Sequence, residues 1–521
     1  MTLQHKKLPI GIQTFREIRE EGYYYVDKTA LAQQLATEGK YYFLSRPRRF
    51  GKSLFLDTLA ELFEGNESLF RGLQCHGRWD WTQRYPVIRL SFGAGRLERR
   101  EQLDIRIHDL LRVNAERLGL PLPQGLDVPG CFGELIRQAE RQAGQRVVVL
   151  VDEYDKPILD NLTEPAIARQ MRDGLRDLYS VIKDNDAHIR FAFLTGVSKF
   201  SKVSIFSGLN NLNDITIDAS YSAICGYTDE DVDTVFAPEL MDLDREEIRA
   251  WYNGYNWTGT SVYNPFDLLL LFDKREFRPW WFETGTPTFL VDWLTRQEAT
   301  FTPQLESWQT DLDLLGAFDI DHIEPEALLW QTGYLTIAST RQLPGMTEVH
   351  LTLPNREVRA SLNAALLRRL QGRSQPASRH LPRLYDVLMA HDMTALEQLL
   401  HSFFASIPHD WYRNNPIAQY EGYWASIFYS HFAALGLDIR LEDVTNQGRI
   451  DMAVLFNGQV YLFEFKVVEQ TPEGKALAQL QAKNYAEKYR SRGEPMHLIG
   501  VEFSSSARNV VGFELLTLEA T

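Results

Sequence analysis

Four short apolar runs, separated by helix-length stretches, constrain this chain more than any other feature: residues 41–44 (YYFL), 87–92 (VIRLSF), 147–151 (VVVLV) and 190–194 (RFAFL). Runs without polar alternation suit strands buried on both faces, as in a parallel sheet covered by helices. After the first run, GKSLFLDTLAELFEG places Leu54, Phe55, Leu59, Leu62 and Phe63 at helical spacing, with Gly65 poised to end the helix. The first 230 residues therefore predict a layered α/β domain.

Length and composition extend that picture. A chain of 521 residues with 44% apolar content can bury more than one core, so three or four units are expected. Residues 231–300 are helical and rich in aromatic turns (WYNGYNWTGTSVYNPFDLLLLF), which predicts a lid. Residues 301–385 alternate short helices with two strands and predict a winged-helix-like unit followed by a basic linker containing Arg368, Arg369, Arg373, Arg379 and Arg383. Residues 386–521 predict a helical lead-in and a further mixed α/β domain. Three widely spaced cysteines and the lack of an apolar leader or an 18-residue apolar run point to a soluble, cytoplasmic protein off the membrane.

Between the first strand and its helix lies SRPRRFGKS, residues 45–53, a phosphate-loop pattern in which Arg46 replaces the opening glycine. Cradling is done by backbone N–H groups, so the substitution is compatible with binding, and Arg46, Arg48 and Arg49 would add positive charge beside the phosphates. Lys52 would reach the β- and γ-phosphates and Ser53 would ligate Mg²⁺. The run VVVLVDEYD ends in Asp152, a second Mg²⁺ ligand, and Glu153, which would polarise the attacking water. The strand ending TGVS adds Thr195 and Ser198 as donors to the γ-phosphate or that water. The candidate ATP-binding set is thus Arg48, Arg49, Phe50, Gly51, Lys52, Ser53, Asp152 and Thr195, with Glu153 catalytic.

The C-terminal third holds a second acidic arrangement, in GRIDMAVLFNGQVYLFEFKVV. Asn457-Gly458 is a two-residue hairpin signal. If Phe456 faces Gln459, counting outward sets Asp451 directly opposite Glu464 on one face of the sheet. Opposed carboxylates repel and need compensation. Lys466 points to the same face with Arg449 opposite it, so one reading is a structural quartet of two acids and two bases. The other is a divalent metal held by Asp451 and Glu464, with Lys466 orienting the water. Downstream, QLQAKNYAEKY offers Gln481 and Tyr485 one helical turn apart.

Two resemblances follow. The segments LSRPRRFGKSLFLDTL, VDEYDKPI, LTGVSKFSKVSIFSGLNNL, WYNGY, VYNPF and ETGTP resemble the AAA-ATPase-like family of prokaryotic proteins across most of residues 8–300. The resemblance implies a P-loop ATPase in which the R-P-R-R-F-G-K-S loop is the usual form, with Tyr25 to Lys28 near the base and Lys199 and Lys202 as candidates for a finger residue. The spacing Asp-x(12)-Glu-x-Lys resembles the PD-(D/E)XK nucleases over residues 410–515, with Arg449 and Ile450 where the proline would stand. That resemblance implies a further metal carboxylate from Glu421, a Q-x-x-x-Y helix through Gln481 and Tyr485, catalytic roles for Asp451, Glu464, Lys466, Gln481 and Tyr485, and Mg²⁺ or Mn²⁺ as the metal.

Charge moderates this. The chain carries a net −15, and residues 401–521 hold ten Lys plus Arg against fourteen Asp plus Glu. DNA affinity must then come from another module or from assembly into a homo-oligomer. The leading expectation is an ATP-dependent or ATP-regulated nuclease acting on DNA. Two alternatives stay open: an ATP-driven switch with a catalytically silent nuclease fold, and a DNA-binding regulator of mobile-element or defence type using the winged unit.

Overall fold

The computed structural model describes residues 5–123, 125–199, 205, 209, 211–285, 305–316, 324–370, 380–405, 421–445 and 447–519. The chain divides into two compact units, one of residues 1–281 with 308–354 and the other of residues 282–307 with 355–521.

In the first unit, β1 (Tyr41–Ser45), β2 (Val87–Ser91), β3 (Val147–Asp152), β4 (Ile189–Gly196) and the short β5 (Asn213–Asp214) form a five-stranded sheet in the order β2-β3-β4-β1-β5. All pairings are parallel. The four apolar runs are β1 to β4, and β1 is buried along its whole length, as a strand covered on both faces must be. The helix Lys52–Phe63 follows β1 and buries Leu59, Leu62 and Phe63 completely, each worth about 1.5–3 kcal/mol. Because β4 lies between β1 and β3, the carboxyl ends of all three strands meet at one edge. Leu44 stands beside Thr195, and Val151 beside Leu194. Open parallel sheets bind ligands at that edge.

The described part of the expected lid packs with the N-terminal segment: Tyr24 and Val26 share a core with Phe236, Tyr252, Tyr263, Leu268 and Phe272. Up to Trp281 it belongs to the same compact unit as the sheet. Downstream, β6 (Trp308–Asp311), β7 (Thr336–Leu343) and β8 (Met346–Thr352) form an antiparallel sheet in the order β6-β8-β7. The expected 301–385 unit is not one body, since the chain passes between compact units after Pro354 and the helix Arg356–Leu370 belongs to the second. Arg373 and Arg379 lie outside the described residues.

In the second unit, β9 (Asp438–Thr445), β10 (Gly448–Phe456), β11 (Gln459–Val468), β12 (Met496–Ser504) and β13 (Asn509–Leu518) form a mixed sheet in strand order, with only β11 and β12 parallel. One face meets the helix Glu421–Ala433 through Phe428, Phe432, Phe463 and Phe465. The other meets the helix Lys475–Ala482 through Val460, Leu462 and Leu480. Two apolar faces explain why β11 is buried almost throughout. Among the described residues no helix is long and apolar enough to cross a membrane.

Candidate functional site

At the carboxyl edge of the parallel sheet, the loop after β1 turns through two left-handed residues, Arg49 (φ 70°) and Gly51 (φ 92°). The first costs about 1–2 kcal/mol for a residue with a side chain. Lys52, 7% exposed, folds back to donate to the carbonyls of Arg46 (2.9 Å) and Pro47 (2.8 Å). Burial lowers its pKa, opposed first by Asp152. Ser53 Oγ donates to Asp152 Oδ2 at 2.6 Å, joining the first helix to the end of β3. Glu153 is left-handed (φ 51°), and its carboxyl is pushed above the usual range by burial and then by Asp152. Thr195 Oγ1 is buried without a hydrogen-bond partner among the described residues.

In the second unit, the turn Asn457-Gly458 has both residues left-handed (φ 49° and 69°), the type I′ geometry that matches strand twist. Phe456 pairs with Gln459 and the register runs to Met452 with Phe463, one step short of Asp451 and Glu464. Asp451 Oδ2 accepts the backbone N–H of Phe465 at 2.8 Å. Glu464 is fully buried, and its Oε1 accepts from Lys466 Nζ at 3.4 Å and from the side-chain amide of Gln479. Tyr485 is buried nearby, its phenol pKa raised by burial and then by Glu464. The described residues contain no group of three or more His, Cys, Asp or Glu arranged around a metal. Glu421 opens the helix Glu421–Ala433, but its side chain lies outside the described residues.

A model described as a predicted AAA-ATPase matches residues 9–206, and one described as the PD-(D/E)XK nuclease superfamily matches residues 419–513. A protein of Azotobacter chroococcum mcd 1, described as an uncharacterized protein in the vnfD 5′ region, is 65% identical over 517 residues, covering 99% of this chain and 100% of that one. The chain belongs to the predicted AAA-ATPase family with a C-terminal PD-(D/E)XK domain. Among solved structures, the Aeropyrum pernix ORC1 protein in complex with DNA aligns at 14% identity and a TM-score of 0.26, over 65% of this chain and 93% of that one. That likeness is too weak to carry an argument.

Within the ATPase module several expected contacts go elsewhere. Arg46 does not face the phosphate edge. It is fully buried, stacks 4.0 Å from Trp257, and donates to the carbonyls of Ser45 (2.8 Å), Thr216 (2.8 Å) and Tyr221 (3.1 Å), while burial pulls its pKa down to about 10. The residue replacing the opening glycine is therefore a structural bolt beneath the loop. Phe50, expected among the nucleotide contacts, is buried edge-on against Tyr255 and Trp257. Arg49 lies over the ring of Phe266 at 4.4 Å, and Arg48 is exposed. Asp27 accepts from the N–H and Oγ1 of Thr29, and Lys28 pairs with Asp231 at 2.8 Å, so these side chains already have partners within the fold. Lys199 pairs with Asp214 at 2.6 Å, and Lys202 lies outside the described residues. Ser198 is committed to Asp155.

Asp155 is the residue that motif reading missed. It is 1% exposed and accepts from Ser198 N (2.6 Å), Ser198 Oγ (2.6 Å) and Val197 N (3.1 Å), tying the segment after β3 to the end of β4. A buried carboxylate satisfied by backbone donors needs no cation. Its spacing of three from Asp152 was the available signal.

The PD-(D/E)XK domain also departs from expectation. Arg449 is turned away from the acids to Glu442, so the quartet does not form. Gln481 is exposed. The helix ends at Ala482, and Asn484 is left-handed (φ 46°), which takes Tyr485 out of helical phase with Gln481. Gln479, two residues earlier, is the glutamine that meets Glu464.

Proposed function

We propose that this protein is an ATP-dependent or ATP-regulated, metal-dependent nuclease acting on DNA, with nucleotide state in the first module controlling cleavage in the second. The observation that carries the nuclease reading is the nearness of three groups: Asp451 accepts from the N–H of Phe465, and the neighbouring, buried Glu464 accepts from Lys466.

The residues at the first site fit ATP and Mg²⁺. Among the described residues Lys52 has only carbonyl partners at hydrogen-bond distance, which phosphate oxygens would replace with stronger charge-assisted bonds. Ser53 and Asp152, hard oxygen donors already 2.6 Å apart, would hold Mg²⁺, and Thr195 Oγ1 offers a spare buried donor to the terminal phosphate. A Mg²⁺ held there would neutralise developing phosphate charge. Glu153, with its raised pKa, would accept the proton of the attacking water.

At the second site the donor set is again hard oxygen, suited to Mg²⁺ or Mn²⁺. Asp451 and Glu464 would hold the ion, with Glu421 a further donor. A bound ion there polarises the phosphodiester and lowers the pKa of its water. Lys466 would orient that water and balance the paired acids.

The test is degradation of single- and double-stranded DNA by the full chain with Mg²⁺ or Mn²⁺, with and without ATP. Absence of cleavage under every combination would defeat the reading. One observation favours the alternative of an ATP-driven switch with a silent nuclease fold: both carboxylates already accept donors from the protein. On that reading Asp451→Ala leaves every nucleic-acid-dependent activity intact.

A further inference from the structure

Beside the E-x-K strand runs a second pattern. β12 pairs in parallel with β11 so that Gly500 stands beside Glu464, and Glu502 beside Lys466. A Cβ built at Gly500 would lie 2.3 Å from the backbone nitrogen of Leu477. Only a residue without a side chain lets the helix Lys475–Ala482 lie this close to the sheet. Glu502, 2% exposed, accepts the backbone N–H groups of Glu473, Lys475 (2.7 Å) and Ala476 (3.4 Å) at the start of that helix.

Those N–H groups have no partner within the helix, and the helix end is electropositive, so a carboxylate there satisfies both. Burial alone would raise the pKa of Glu502, but the amide donors outweigh it and hold the group below the ordinary glutamate range. From the same helix, Gln479 reaches Glu464 Oε1, the oxygen that also accepts from Lys466. Three separate observations therefore meet on one element: a close approach, a charged clamp and a side-chain bond to the buried acid.

We propose that Glu502 and Gln479 are positioning residues of the carboxylate site: Glu502 anchors the first turn of the helix, Gly500 sets its distance, and Gln479 fixes the orientation of the Glu464 carboxylate. The assignment rests on the metal-site reading above and specifies how that site is held. It also separates two neighbouring glutamines, giving Gln479 a role toward the metal ligand and Gln481, which faces solvent, none.

The experiment uses the full chain and Mn²⁺ alone as probe, titrated calorimetrically into wild type, Glu502→Gln, Gln479→Leu, Gln481→Leu and the Glu502→Gln/Gln479→Leu double variant. Loss of a residue that orients a metal ligand typically weakens the metal about 10–100-fold. We expect a loss in that range for Gln479→Leu and Glu502→Gln, with the double variant no worse than the poorer single one, because both act through one element. Gln481→Leu should bind as wild type does. In cleavage assays Gln479→Leu should lower kcat with KM for DNA unchanged. Hydrogen exchange should speed up at amides 473–476 in Glu502→Gln. Should Glu502→Gln fail to fold, Gln479→Leu, on a half-buried helix position, decides alone. Equal Mn²⁺ affinity in Gln479→Leu and wild type, or an equal loss in Gln481→Leu, overturns the positioning assignment and leaves the metal site standing. Failure of wild type to bind Mn²⁺ overturns the metal-site reading itself.

Discussion

The two candidate sites solve one problem, gathering oxygen donors and a lysine where phosphate chemistry can occur, by different means. In the first unit the side chains come from the ends of parallel strands, and continuous backbone sets their spacing: Lys52 and Ser53 follow one strand, Asp152 and Glu153 end another. In the second unit Asp451 and Glu464 come from the two strands of a hairpin whose register is set by a two-residue turn, and Asp451 accepts from the N–H of Phe465, next to Glu464. Strand-end sites tolerate odd residues in the loop so long as the backbone keeps its path. Mid-strand sites tolerate odd residues in the turn only if the register survives, since a slip of one residue turns both acids to the opposite face.

The widest separation between the two should come from Lys52→Ala and Glu464→Ala. Lys52→Ala is expected to cut ATP turnover by about 10²-fold or more, the scale of losing one preorganised charge stabiliser. Glu464→Ala should abolish metal-dependent cleavage and leave ATP turnover unchanged; loss of ATP turnover in Glu464→Ala would mean the sites are not chemically distinct. Next in size is Arg46→Gly, which restores the opening glycine. Because it removes a buried guanidinium that satisfies three carbonyls and packs on Trp257, it should destabilise the first unit by about 2–4 kcal/mol, read from denaturant midpoints. Improved ATP binding in that variant would refute the structural role.

A smaller effect concerns acid. His431 is fully buried beside Phe403, with both ring nitrogens lacking partners among the described residues, and burial and then His380 lower its pKa from 6.5 to about 3. An unfolded chain binds a proton there that the folded one refuses. The second unit should therefore lose stability as pH falls from about 6.5 toward 3, by at most about 1.4 kcal/mol per pH unit. His431→Leu should flatten that slope in pH-dependent melts. The smallest effect is expected of Arg449→Ala: its pair with Glu442 is exposed, so stability should change by less than about 0.5 kcal/mol and cleavage not at all. A large loss of cleavage would revive the quartet of acids and bases.

Much of this was legible in the chain itself. The apolar runs marked the four main strands of the first sheet, G-K-S after one run and D-E after another marked its edge, and Asn457-Gly458 gave the hairpin register from Phe456 with Gln459 to Met452 with Phe463 before any coordinates. Each is a local rule, in which a few neighbouring residues settle the backbone. What misled was the assumption that charge near a site serves it. Arg46 and Arg449 sit within the motifs, yet one is drawn to carbonyls 170 and 175 residues away and the other to a neighbouring strand.

By itself the sequence determined the strand order of appearance, the phosphate-loop position and the hairpin register, because turn chemistry and side-chain periodicity act over a few residues. Tertiary structure alone decided which polar residues point inward: Gln479 rather than Gln481, Asp155 as a clamp behind Glu153, and Glu502 beneath a helix held close by Gly500. Those choices depend on how a helix ends and how closely it can approach a sheet, distances that spacing along the chain does not encode.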